Sequence, residues 1–174
     1  MQRDKVIVVN EQDEALGIMD KLEAHRKGTL HRAFSIFVLN DNDELLLQQR
    51  AFGKYHSGGL WSNTCCSHPI PNEDTIDAAH RRLKEEMGFD CELSRIFTLR
   101  YCSKVSNGLT ENELDHVYLG YYNGAIVPNP VEVIAHRFVL IEDLTQMMAT
   151  QPANFTAWFH LALPRFVASL KNPH

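Results

Sequence analysis

Short apolar runs separated by turn-forming clusters occupy most of the chain. Val6–Asn10 predicts a strand and Glu11–Gly17 a turn. The run His31–Leu39 (HRAFSIFVL) predicts a second strand. It is followed by Asn40-Asp41-Asn42-Asp43 and by Leu45–Arg50, a hairpin pattern. Ala51–Leu60 carries Gly53, Gly58 and Gly59 and predicts a loop. Further strands are expected at Ile96–Cys102, Leu114–Tyr122 and Val131–Leu140.

The periodicity changes after Pro71. Ile76, Ala79, Leu83 and Met87 recur at near-helical spacing and form one apolar stripe. Asn72 is the expected N-cap, Glu73, Asp74 and Asp77 suit the first turns, and Gly88 suits the C-terminal cap. Helices are also expected at Leu140–Thr150 and Phe155–Leu170, with Pro164 kinking or interrupting the second. Strands, an inserted helix, more strands and then helices predict an α/β (α+β) fold, a mixed β-sheet covered by helices.

The chain has 174 residues, 44% hydrophobic and 22% charged, which predicts one soluble domain spanning residues 1–174 with an adequate core. The net charge of -5 argues against nucleic acid and acidic membranes as partners. No run of about 18 apolar residues is present, so no stable membrane insertion is expected. Four cysteines without a repeating framework, and no signal-peptide pattern, predict free thiols and a cytoplasmic setting. The oligomeric state is left open.

Candidate chemistry concentrates in three places. On the helix, Arg82 and Glu86 are four apart and share a face. Carboxylate beside guanidinium suits Mg²⁺ together with a diphosphate, although such pairs are also common on solvated helices. The triplet Glu111-Asn112-Glu113 puts two carboxylates on one side of a strand, where they need solvent or a cation. With His25, His31 and His68 they would make a nitrogen–oxygen set suited to Mn²⁺, Zn²⁺ or Mg²⁺. Cys66 lies two residues before His68; on an extended segment the two share a side and Cys65 faces away. A cation at His68 would favour the Cys66 thiolate.

The segment Ser67–Phe89 resembles the nudix box, G-x5-E-x7-R-E-U-x-E-E-x-G-U. Glu73, Arg81, Leu83, Glu85, Glu86, Gly88 and Phe89 fall in register. Ser67 replaces the first Gly, and Arg82 replaces a carboxylate that belongs to the metal cluster in nudix hydrolases. From Val6 to Trp158 the chain resembles the type 1 isopentenyl diphosphate isomerases. The resemblance rests on LHRAFS at Leu30–Ser35, the Arg50–Lys54 stretch, the run Trp61–Pro69, RRLKEEMG, the Glu-Asn-Glu triplet and Trp158.

That resemblance implies a nudix-type mixed sheet sandwiched between helices, and an isomerase that moves a proton across an allyl unit of a small diphosphate. Protonating an unactivated alkene makes a tertiary cation, so an acid, a base and exclusion of water are required. The catalytic pair implied is Cys66 and Glu113, with Glu113 and Tyr101 expected to deliver the proton and Cys66 to remove it. The implied metal ligands are His25, His31, His68, Glu111 and Glu113. Lys21, Arg50, Lys54 and Arg82 are implied to grip the diphosphate, with Glu86 placing Mg²⁺ beside it. Trp158 is implied to face the cation, where an aromatic ring stabilises charge without attacking it.

Two rivals make different predictions. A nudix hydrolase would release a phosphorylated fragment, and Arg82 and Cys66 speak against it. A non-enzymatic binding module would keep its ligand after loss of Cys66 and Glu113. A flavin-dependent isomerase needs a barrel of about 250 residues, so no flavin is expected.

Overall fold

The computed structural model describes residues 1–171. In chain order the elements are β1 (Lys5–Val9), β2 (Ala15–Asp20), α1 (Lys21–Lys27), β3 (His31–Leu39), β4 (Glu44–Arg50), β5 (Trp61–Ser62), β6 (Cys65–Ser67), α2 (Thr75–Met87), β7 (Leu93–Lys104), β8 (Thr110–Tyr121), β9 (Val133–Leu140), α3 (Ile141–Thr150) and α4 (Ala157–Lys171). The nine strands form one mixed sheet. Its centre is β3, which runs parallel to β8 from His31↔Glu113 to Leu39↔Tyr121 and antiparallel to the short β6. β7 extends β8 as an antiparallel hairpin, and β9 and β5 flank β4.

β3 is buried on both faces, which is why it reads as a nearly continuous apolar run. Phe34, Ile36 and Val38 pack with Ala78, Ala79, Leu83 and Met87 of α2. Phe37 and Leu39 point the other way, into a core with Phe159, Ala162, Leu163 and Phe166 of α4 and Leu144 and Met148 of α3. Phe37 and Phe166 stack with ring centroids 4.3 Å apart. Each such fully buried side chain contributes roughly 1.5–3 kcal/mol. The expected sheet sandwiched between helices is the architecture found.

Several local expectations are corrected. Glu11–Gly17 is not wholly a turn: it gives way to β2, whose residues Ala15–Ile18 are exposed and so leave no burial alternation to read. Asn72 does not cap α2. It adopts a left-handed φ of 64° in a turn closed by the Ile70–Glu73 hydrogen bonds, and Asp74 takes the N-cap position. Gly88 does terminate α2, at φ 75°; a Cβ there would meet the Val127 carbonyl oxygen at 2.1 Å, so only glycine fits. Pro164 lies inside α4, which continues through it to Lys171. The loop expected at 51–60 holds, but β5 and β6 are strands too short for pattern reading. β8 begins at Thr110, so the Glu-Asn-Glu triplet lies within the strand. β9 begins at Val133, two residues later than expected.

Candidate active site

The sheet register assembles the site. His31 of β3 is opposite Glu113 of β8, and Glu113 is opposite Tyr101 of β7, so three functional side chains stand in one row across adjacent strands. α1 adds His25. It is a short helix, held by the Asp20 side chain accepting from the Leu22 and Glu23 N–H groups and ended by Gly28 in the left-handed region. It has no apolar stripe and was not expected. Lys21 and His25, four apart, share its inner face.

His25, His31, His68 and Glu113 bring one ligand atom each to within 4.8 Å of one another. The His25 and His31 Nδ1 atoms lie 2.7 and 2.8 Å from the carbonyls of Lys21 and Thr29. A carbonyl only accepts, so each Nδ1 carries the proton and each Nε2 presents a lone pair to the cluster. His31 Nε2 is 3.3 Å from His68 Nε2 and 3.4 Å from a Glu113 oxygen, and His25 Nε2 is buried without a hydrogen-bond partner. Burial pushes the His68 imidazole down to about 4 and also lowers His25. Lone pairs facing lone pairs and a carboxylate call for a cation, so this donor set fits a divalent metal. Glu111 joins a different group, with His25 and His56. Burial and the neighbouring Glu113 push Glu111 up. Against burial, His68 and His31 hold Glu113 well below the usual carboxylate range.

A small cavity of about 30 Å³ lies beside these ligands, lined by Arg50, Cys66, Tyr101, Glu111, Glu113 and Trp158 among others. Tyr101 donates to Glu113 at 2.5 Å. Cys65 and Cys66 face apart: Cys65 is fully buried against the α2 side, and Cys66 borders the cavity. The Cys66 sulfur accepts from Trp158 Nε1–H at 3.2 Å and donates to Asn63 Oδ1 at 3.0 Å. Asn63 is fixed in turn by its amide donating to the Ile36 and Cys65 carbonyls. The protein's own field does not favour the thiolate. Burial pushes the thiol up, and the Asp115 carboxylate pushes it further, more than the Ser35, Asn63 and Trp158 hydrogen bonds lower it.

Tyr55, Ser67 and His68 also line a second space, a cleft of about 440 Å³ walled by Lys21, Lys54, Arg81 and Arg82. Three of the four expected phosphate-binding cations thus share a cleft. Arg50 lies in the inner cavity, its guanidinium 5.1 Å from the Trp158 ring. Glu86 lines neither space. Its carboxylate accepts from Arg82 at 2.5 Å and Gln48 at 2.9 Å beneath the cleft wall, and it belongs to neither ligand group. Sequence reasoning did not single out Glu132, which pairs with both Lys54 and Arg82. It also missed His56, Asn63 and Asp115. Asp115 was reachable, since it continues the alternation of Glu111 and Glu113 on β8. His56 sits in an irregular loop, where no periodicity marks it. Among the described residues no helix is long and apolar enough to cross a membrane.

Residues 29–159 match the NUDIX domain family. An isopentenyl-diphosphate Delta-isomerase from Pectobacterium atrosepticum is 52% identical over 95% of this chain and 92% of its own length. A second from Aromatoleum aromaticum is 49% identical over 95% of this chain and 87% of its own. The fold matches a Deinococcus radiodurans crystal structure with a TM-score of 0.77 at 17% identity, covering 92% of this chain and 98% of that one. A MutT protein from Methanosarcina mazei superimposes with a TM-score of 0.68 at 18% identity, over 82% of this chain and 96% of that one. The chain belongs to the isopentenyl-diphosphate Delta-isomerase family of the NUDIX superfamily.

Proposed function

We propose that this single-domain protein interconverts isopentenyl diphosphate and dimethylallyl diphosphate, with the diphosphate in the cationic cleft and the hydrocarbon in the cavity between Cys66 and Glu113. The observation that carries this reading is the junction of the two spaces at Tyr55, Ser67 and His68. A substrate with a charged head and a five-carbon tail needs those two environments side by side.

The alkene must gain a proton at one carbon and lose one at another. A thiol that holds its proton and a carboxylate that does not form a matched acid and base. Because the reaction runs both ways, each serves as acid in one direction and base in the other. Tyr101 orients Glu113 through its hydrogen bond. Trp158 and the buried cavity wall keep water from trapping a carbocation, and the indole face stabilises its charge by about 2 kcal/mol when desolvated. His25, His31, His68 and Glu113 would hold a divalent cation, Mn²⁺, Zn²⁺ or Mg²⁺, which when bound supplies fixed positive charge beside the reacting carboxylate. Lys21, Lys54 and Arg82, with Arg50 at the inner end, would hold the diphosphate, and the Glu86 carboxylate with the phosphate oxygens would hold its Mg²⁺. All four cysteines are free, which supports a reducing, cytosolic setting.

Proton NMR with Mg²⁺, Mn²⁺ and isopentenyl diphosphate in D₂O tests the function. Deuterium-bearing dimethylallyl diphosphate is the expected product; release of inorganic phosphate or diphosphate with no isomer would reject the reading in favour of hydrolysis. A second expectation concerns Glu132. Its carboxylate occupies Lys54 and Arg82 and must yield to the substrate. Glu132→Gln should lower KM by roughly 2- to 5-fold, matching an ion pair worth up to about 1 kcal/mol, with kcat unchanged. Steady-state kinetics showing a raised KM would instead make Glu132 part of the substrate grip.

A further inference from the structure

Three polar side chains surround the Cys66 sulfur, and only one of them can change its role. Trp158 Nε1–H donates to it at 3.2 Å, and an indole N–H cannot accept. Asn63 is fully buried and accepts from it at 3.0 Å. The Asn63 amide nitrogen uses both protons on the Ile36 and Cys65 carbonyls, and Ser62 Oγ donates to the amide oxygen at 2.9 Å, so that oxygen is fixed as an acceptor. The third is Ser35 of β3, opposite Cys66 in the β3–β6 register and 2% exposed. Its Oγ is 3.3 Å from the Cys66 sulfur and 2.7 Å from Asp115 Oδ2. A hydroxyl has one proton and can give it to either. Asp115 is 1% exposed and its other oxygen has no hydrogen-bond partner, so among the described residues Ser35 is the donor it depends on. Ser35 lines neither the cavity nor the cleft.

We propose that Ser35 is a positioning residue for Cys66, and that its hydroxyl turns between Asp115 and the sulfur in each turnover. The inference rests on Cys66 as one of the two proton-transfer groups. In either direction of that reaction the sulfur is found both with its proton and without it. While the sulfur carries the proton, its S–H donates to Asn63 and Ser35 donates to Asp115. Without the proton, the sulfur is an anion 3.0 Å from the Asn63 oxygen, with Trp158 as its one fixed donor. Rotation about the Ser35 Cβ–Oγ bond then aims the hydroxyl at the sulfur. No heavy atom has to move, because both partners are already within reach of Oγ. The bond gained is charge-assisted. Asp115 loses its donor in that state, which draws the hydroxyl back once the sulfur regains its proton. Ser35 keeps its own proton throughout, and the proton exchanged with the substrate is the one on sulfur.

The test is Ser35→Ala, with kcat and KM read separately. The kcat should fall roughly 10- to 100-fold, the range for losing a hydrogen bond to a charged group, with KM within about 2-fold of the wild type. Ser35→Thr keeps the hydroxyl and should recover most of that loss. A Ser35→Thr variant as slow as Ser35→Ala would make the effect one of packing and overturn the proposal. Should Ser35→Ala fail to fold, the pair Ser35→Ala/Asp115→Asn replaces it, since it leaves no buried carboxylate without a donor, and it should be equally slow. Iodoacetamide labelling of Cys66 in the Mn²⁺-loaded protein, read by mass spectrometry, does not depend on isomerisation. Without the Ser35 hydroxyl it should slow by roughly 3- to 10-fold, less than kcat, because a thiolate that loses stabilisation becomes more nucleophilic. Slower labelling in a protein that does not isomerise would support the role of Ser35 and reject the function. Unchanged labelling would overturn the inference whatever the activity.

Discussion

Cys66→Ala is expected to lower the isomerisation rate by about 10²- to 10⁴-fold or more, the range for loss of a positioned acid or base, while the protein stays folded. Cys65→Ala should remain within a few-fold of the wild type. The two thiols are adjacent, and strand geometry separates them. On β6, Cys65 pairs with Ile36 and turns into the core against α2, whereas Cys66 pairs with Ser35 and turns to the cavity. Removing the Cys66 sulfur also leaves the buried Trp158 N–H without its acceptor, a cost of about 1–3 kcal/mol, below the roughly 5–15 kcal/mol that holds a domain folded. Deuterium incorporation followed by NMR gives the rates. Loss of activity at Cys65 with retention at Cys66 would sink the assignment.

Arg82→Leu is expected to have the largest effect on stability. Glu86 is 2% exposed and depends on Arg82, Lys54 and Gln48 for its charge. Removing one partner of such a buried pair costs about 3 kcal/mol or more, visible as a lower urea midpoint. The same variant should raise KM, because Arg82 also lines the diphosphate cleft. The pH dependence carries a definite sign. Burial alone would raise the Glu86 pKa, but Arg82, Lys54 and the Gln48 amide hold it below the ordinary value. Its contribution is therefore complete above the unfolded carboxyl pKa of about 4.3 and is lost as pH falls through the lower folded value. Without Arg82 that depression is reduced. The stability gap between wild type and variant should be widest near neutrality and narrow in acid. A gap that stays constant down to acid pH would remove Glu86 from the explanation.

The register-based site explains why these effects are local. His31, Glu113 and Tyr101 are fixed by backbone pairing across three strands, and Arg82 and Glu86 by one turn of helix. Substitutions at His31, Glu113 and Tyr101 change side chains and leave the backbone hydrogen-bonding groups of the three strands in place.

Much of this was legible in the chain itself. Wherever a segment is buried on a defined face, its periodicity shows it: β3, the stripe of α2 and its Gly88 terminus followed from side-chain spacing alone. The nudix spacing of Glu73, Arg81, Glu85 and Glu86 and the opposed faces of Cys65 and Cys66 followed from the geometry of a helix and a strand. The exposed β2, the seven-residue α1 and the short β5 and β6 did not, because they bury too little surface to leave a period. Only the tertiary structure decided which polar groups meet. Pairing between β3, β8 and β7 is long-range, and no local pattern encodes that His31 stands opposite Glu113. It also put Glu111 beside His25 and His56, sealed Glu86 under Arg82, and brought in Glu132 and Asp115. The surroundings of Cys66 came from the same source: a cation at His68 would favour its thiolate, whereas burial and Asp115 push the thiol up.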